Sequence, residues 1–333
     1  MNKQDTGFNT KLYGIFVCWL SVFGCTLVYS LIPNVPRIWT LVPFAISVVL
    51  FGLPHGAIDH LIPDKMEEFQ ISKLQVISIY LVLIILYSIL WYLSPVIGFV
   101  SFIVLTLIHW GQGDLYATRS ILGAEYLDNN VSKLLAVLLK GSLPMLLPLA
   151  FGQEAYRIVT NGMVSIFNES SQSLGLFFTD WFADLILYYM CVLALAYYGL
   201  ALYLSVASNI GNLKTVSCDI IEFAILFLLF ALVDPILAVG LYFCFWHSLR
   251  HIVRLIELQS SDSSEFGFKS FFVESAPMTG VTITGTIFIG FTFSMNKLFD
   301  PIVLLSVYLL VIAIVTLPHF VVVSIMDYNQ GVW

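Results

Sequence analysis

His247 and His251 stand four residues apart within Phe243–Arg254, an apolar stretch reading Phe-Cys-Phe-Trp-His-Ser-Leu-Arg-His-Ile-Val-Arg. On an α-helix this spacing puts both rings on one face, one turn apart. It is the spacing by which one helix offers two nitrogens to one metal. Arg250 and Arg254 fall on the same side of the wheel. In lipid, such a polar stripe faces protein interior or water. The plainer alternative is polar glue between helices.

The other four histidines are His55, His60, His109 and His319, each at or near the end of another hydrophobic run. His55 and His60 lie in Phe-Gly-Leu-Pro-His-Gly-Ala-Ile-Asp-His, residues 51–60. Gly52, Pro54 and Gly56 disfavour a regular helix and predict a broken or re-entrant backbone. If that segment is helical, Asp59 can orient His55, whereas His60 points elsewhere; the alternative is a capped turn at the membrane surface. His109 precedes Trp110 and Asp114. It is a candidate ligand, with Asp114 either fixing its tautomer or partnering an arginine; an interfacial His-Trp pair is the plainer reading. Pro318 is expected to break its helix and free a carbonyl one turn earlier. His319 is then a ligand, an outer partner of one, or the group that satisfies that carbonyl.

Neutral imidazole suits iron, copper or zinc. The five cysteines form no CxxC pair, and most read as small buried hydrophobes. There is no glycine-rich phosphate loop, GxSxG elbow or HExxH motif.

The elements that must position these residues follow from composition. The 333-residue chain is 59% hydrophobic and 11% charged, with several apolar runs long enough to cross a bilayer. Its mean hydropathy is +0.93. The expected fold is an all-α, polytopic bundle of about ten transmembrane helices, one domain over residues 1–333. The helices are expected at 11–32, 38–53, 74–94, 96–112, 133–151, 181–206, 218–233, 236–257, 278–295 and 301–325. The first is read as a span rather than a cleaved leader. Solvated loops with short surface helices are expected at about 114–132, 152–180 and 258–277, the last holding the serine- and acid-rich run 260–265. The net charge of −7 argues against nucleic acid.

Lysines and arginines set the expected orientation. With the amino terminus in the cytoplasm, Lys3, Lys11, Lys65, Lys73, Arg119, Lys133, Lys140, Lys214, Arg250, Arg254 and Lys269 fall on or near the inner side. Arg37, Arg157 and Lys297 fall outside. The second, fourth, eighth and tenth helices then bring all six histidines to one layer toward the cytoplasmic face. The expectation is a multi-pass protein of the inner (plasma) membrane.

Pro-His-Gly-Ala-Ile-Asp-His at 54–60, His-Trp-Gly-Gln-Gly-Asp at 109–114, His-Ser-Leu-Arg-His at 247–251 and Pro-His at 318–319, in this order on a hydrophobic chain, resemble the Brp/Blh family of bacterial and archaeal membrane proteins. The family activity is that of a β-carotene 15,15′-dioxygenase. The resemblance implies cleavage of the central double bond by O₂ to give two molecules of retinal. It implies Fe²⁺ held by His55, His109, His247 and His251, with His60 and His319 as outer or alternative ligands. It also implies a rhodopsin as user of the retinal. A hydrocarbon substrate dissolved in the bilayer suits such an enzyme, and a tunnel must hold it by shape and aromatic contact.

Three rival readings remain on the residues alone. One is a di-iron membrane hydroxylase or desaturase, which six histidines and one H-x-x-x-H serve poorly. Another is a haem-binding electron carrier with two axial histidines. The third is a proton-coupled transporter using His, Asp and Arg as a relay.

Overall fold

The computed structural model describes residues 3–64, 66, 69, 71–167, 171–260, 267–294 and 300–332. Lys65, Lys297 and the serine- and acid-rich run at 261–265 lie outside the described residues. Among the described residues, ten helical segments are long and apolar enough to cross a membrane: Gly14–Leu31, Arg37–Ala57, Lys73–Leu93, Pro95–Ile121, Asn130–Phe151, Asp180–Val206, Leu213–Leu232, Pro235–Leu258, Phe268–Thr292 and Pro301–Asn329. They are numbered here as the first to tenth spans. Leu20, Leu86, Leu195 and Phe288 are exposed on them, as expected of surfaces that meet lipid.

Local chemistry sets the starts. Ser72 and Gln75 form a reciprocal capping box ahead of the third span. Asn129, Thr179, Asn212, Asp234 and Asp300 accept hydrogen bonds from the first free N–H groups of the fifth, sixth, seventh, eighth and tenth. The eighth span is the hub: 78% of its apolar window is buried, against 11% for the ninth. The fourth and fifth pack backbone to backbone. A Cβ on Gly141 would stand 1.8 Å from the Leu107 carbonyl oxygen, and one on Gly111 2.2 Å from that of Val137. Small residues allow this approach.

Four departures from the sequence-based expectation concern the site. The second span is broken into Arg37–Thr40, Val42–Val49 and Gly52–Ala57, followed by a 3₁₀ turn at Asp59–Asp64; the break was expected, its three-part form was not. The eighth is not a uniform α-helix, because Tyr242–Ser248 is π-helical and the α-helix resumes at Leu249–Ser260. The tenth is not broken at Pro318: its helix runs unbroken from Pro301 to Asn329 with that proline buried inside. Packing from both sides overrides the local preference. The expected loop at 258–277 is largely helix, since helices extend to Ser260 and begin again at Phe268; polar residues continue these helices beyond the apolar stretch.

Candidate metal centre

His55 rides on the short helix Gly52–Ala57, His109 on the fourth span, His247 at the end of the π-helical turn, and His319 deep in the tenth. His55, His109 and His247 are buried, and each offers one ligand nitrogen within 4.8 Å of the others. His319 stands against two of them, its ring 4.8 Å from His109 and 4.9 Å from His55. His251 lies 5.6 Å from His55 and 5.4 Å from His319. It is not one of the three whose nitrogens converge. His247 lies in the π-helical run Tyr242–Ser248 and His251 in the α-helix that follows, so the H-x-x-x-H pair is not wound as one regular α-helix.

The glycines that read as helix breakers have a further role in clearance. A Cβ on Gly52 would meet the Phe243 ring at 2.5 Å. One on Gly56 would come within 3.4 Å of His319 Nδ1, and one on Gly113 within 3.4 Å of His247 Nδ1. Both glycines let an imidazole lie close to neighbouring backbone.

The nitrogens themselves point to a cation. Both ring nitrogens of His109, and Nε2 of His247, His251 and His319, are buried without a hydrogen-bond partner. Buried polar atoms are rarely left so. The donors are neutral imidazoles with one orienting carboxylate and no thiolate, a set that fits a borderline divalent metal such as iron or zinc.

Asp59 does not orient His55, as its spacing suggested; His55 Nδ1 instead lies 3.2 Å from the Phe51 carbonyl oxygen. The helix ends at Ala57, so the one-turn relation between these residues is lost. Asp59 reaches His319, with Nδ1 to carboxylate 2.6 Å, and also accepts from the Tyr80 hydroxyl. His319 is thus not spent on a carbonyl freed by Pro318. A carboxylate holding one ring nitrogen while the other faces the site is the usual arrangement of a metal-bound histidine. His60 stands apart from the five-ring cluster. It is half-buried, with Nδ1 3.0 Å from the Ala57 carbonyl oxygen. Burial, with Lys73 adding to it, lowers its pKa from the usual histidine value.

Asp114 takes the second of its two expected roles. It accepts from Tyr242 at 3.1 Å, Trp246 Nε1 at 3.0 Å and Arg250 at 3.2 Å. Arg250 also donates to Glu222 at 2.5 Å, and Lys140 to Asp219 at 2.5 Å. Tyr126 and Tyr197 donate to the same Asp219 carboxylate. Arg254 pairs with Asp327 at 2.5 Å and lies over the Tyr116 ring. These networks tie the eighth span to its neighbours beside the cluster, where His247, Arg250, His251 and Arg254 line one small pocket with Asp114 and Tyr116. Lys140, Arg250 and Arg254, counted on or near the inner side in the expected orientation, are held inside the bundle by acidic partners. Asp219, Glu222, Asp327 and Tyr80 were missed in the sequence. The signal for the first two was available: acids three residues apart in an apolar span call for buried partners.

A cavity of about 290 Å³ opens against His55, His109, His247 and His319, with Thr106 and Tyr80 among its walls. A second, of about 90 Å³, lies beyond Trp110 and Phe243 and is almost wholly apolar.

The family model for beta-carotene 15,15'-dioxygenase matches residues 46–327. The chain is 35% identical over 303 residues to the probable beta-carotene 15,15'-dioxygenase Blh of Halobacterium salinarum, covering 87% of this chain and 85% of that one. It is 27% identical over 284 residues to the beta-carotene 15,15'-dioxygenase of an uncultured marine bacterium, 66A03, covering 83% and 90% respectively. The probable dioxygenase Brp of Halobacterium salinarum is 23% identical over 315 residues. No solved structure matches the chain. The family match takes in every histidine of the cluster and the short helix, π-helical turn and long tenth helix that carry them, and on that extent the chain belongs to the beta-carotene 15,15'-dioxygenase family.

Proposed function

We propose that this chain cleaves the 15,15′ double bond of β-carotene with O₂ and releases two molecules of all-trans-retinal. One C=C bond breaks and each carbon takes one oxygen atom. The alkene supplies the electrons that O₂ accepts, so the balance needs no added reductant. The observation that carries the reading is the convergence of His55, His109 and His247 within 4.8 Å beside an apolar cavity.

We assign the metal as Fe²⁺, held by His55, His109 and His247 with His251 and His319 beside them. Bound there, iron supplies the activation of O₂. The protein does the remainder. Neutral imidazoles leave the ion's positive charge uncompensated, and Asp59 holds His319 by Nδ1 so that Nε2 faces the cluster. The buried walls keep bulk water from the reacting carbons. A hydrocarbon has no group to hydrogen-bond, so Phe102, Trp110 and Phe243 position it by shape and ring contact. The retinal formed would serve a retinal-binding rhodopsin.

The test is expression in a β-carotene-producing bacterium. Loss of orange colour with appearance of retinal is the expected outcome. Unchanged carotene with full-length protein in the membrane would remove the proposal.

A further inference from the structure

The two cavities share four wall residues, Phe102, Trp110, Phe243 and Ile312. Trp110 and Phe243 stack on each other at 5.9 Å. Trp110 lies 5.6 Å from the His247 ring and Phe243 lies 5.9 Å from that of His55. The partition between the compartments is therefore built against the metal cluster.

The compartments differ at their far ends. Leu81, Met278 and Val281 line the larger one, yet are 58%, 43% and 65% exposed. They belong to the third and ninth spans, so this compartment reaches the outer surface between those two helices at a level where the neighbouring side chains are apolar. The smaller compartment is lined by no exposed residue and no charged one, and its single hydroxyl is that of Tyr156.

We propose that the two cavities form one channel for a polyene hydrocarbon. Its mouth opens to lipid between the third and ninth spans. The histidines stand at its middle. The compartment beyond Trp110 and Phe243, about 90 Å³, is a narrow apolar end that stops the leading tip of the chain and so sets which double bond meets the metal. This rests on the proposed function. A molecule without polar groups cannot be registered by hydrogen bonds, and cleavage at its centre demands a defined depth of insertion. A stop at one end supplies that depth.

Ala155 lines the narrow compartment and is half-buried on the helix Gln153–Ser165. Ala155→Trp fills the compartment, whereas Val281→Trp narrows the mouth. Iron-loaded full-length protein and both variants are given β-carotene and a carotenal shortened at one end, and the aldehydes are separated by chromatography. Binding of β-carotene to metal-free protein is followed by the polyene absorbance. Ala155→Trp is expected to yield two unequal aldehydes from β-carotene, or to lose its turnover by at least about tenfold, the scale of a blocked apolar pocket. Cleavage of the shortened substrate persists, and binding of β-carotene to the metal-free variant weakens. Val281→Trp slows both substrates alike. Central cleavage of β-carotene at the wild-type rate by Ala155→Trp overturns the proposal, as does an equal fall for both substrates with binding unaltered. If wild-type protein cleaves neither substrate, the proposed function fails, and the binding comparison alone then judges the channel: equal binding by wild type and Ala155→Trp overturns it.

Discussion

Asp59 and His319, 260 residues apart in sequence, are joined by a 2.6 Å contact between carboxylate and Nδ1. It ties the 3₁₀ turn after the second span to the middle of the tenth. It also fixes the direction of His319 Nε2, which is buried and otherwise unpartnered. Replacing Asp59 by Asn keeps the size but weakens the acceptor. The expected result is a fall of about 10–100-fold in metal affinity or turnover, the usual cost of losing such a partner. Tyr80→Phe removes only the hydroxyl that supports Asp59 and is expected to act in the same direction with smaller size. Iron per protein by elemental analysis, read alongside retinal formation, measures both. Wild-type iron affinity in Asp59→Asn would detach this pair from the metal.

The six histidines are expected to divide unequally. His55→Ala, His109→Ala and His247→Ala each remove a converging nitrogen, so iron content and turnover should collapse together. His251→Ala and His319→Ala remove neighbours whose Nε2 atoms are also buried and unpartnered. Affinity should fall by about 10–100-fold, the range for groups supporting a metal site. His60→Ala loses a half-buried contact to the Ala57 carbonyl and should keep its full iron. Metal titration of the six purified variants checks the ranking, and a His60 variant without iron would reverse it.

Arg250 bridges Asp114 and Glu222 from within the bundle, with its side chain 5% exposed. Arg250→Met leaves Asp114 buried without its cation and Glu222 with only the longer pair to Lys140 at 3.8 Å. Removing one partner of a buried pair costs about 3–5 kcal/mol. Thermal unfolding in detergent should shift down strongly, with lower yield from membranes. Arg157→Met, which breaks an exposed pair with Glu154, serves as the control and should leave the melting temperature nearly unchanged.

Orientation is open to a direct measurement. We propose, from the lysine and arginine pattern, that the amino terminus and the histidine layer face the cytoplasm. Asn209 and Asn161 are both exposed and lie on opposite sides of the sixth span. In intact cells, a membrane-impermeant thiol reagent should label Asn161→Cys and spare Asn209→Cys, read in a background without native cysteines. The opposite pattern would turn the molecule over.

The spans were legible because each is a run of apolar residues of membrane length, and the patches because histidine is costly in such runs. Residue types could not tell which patch touches which. Asp59 sits four residues from His55 but pairs with His319, since a helix stop at Ala57 redirects it. Gly56 looked like a breaker because sequence carries no record of the His319 imidazole lying over it. Pro318 looked like an end because local preference is visible in sequence and the packing that overrides it is not. The ion pairs of Lys140, Asp219 and Glu222 were hidden for a different reason: Lys140 was counted only for its place on or near the inner side, and its acidic partners lie on another helix.

The π-helical turn at Tyr242–Ser248 makes the eighth span intolerant of simplification. Such a turn holds more residues than the α-helical turn it replaces, so deleting one residue within it would restore a regular α ladder and improve the helix taken alone. The same deletion would remove the wider turn that sets the facing of Phe243, Trp246 and His247, while the α-helical turns on either side keep theirs. Phe243 and Trp246 would then no longer share a register with His251 and Arg254. A sequence change that strengthens this helix locally would therefore be selected against by its neighbours, and deletions here should be absent from any working library, whereas deletions within the 3₁₀ segment Ser171–Phe178 should survive.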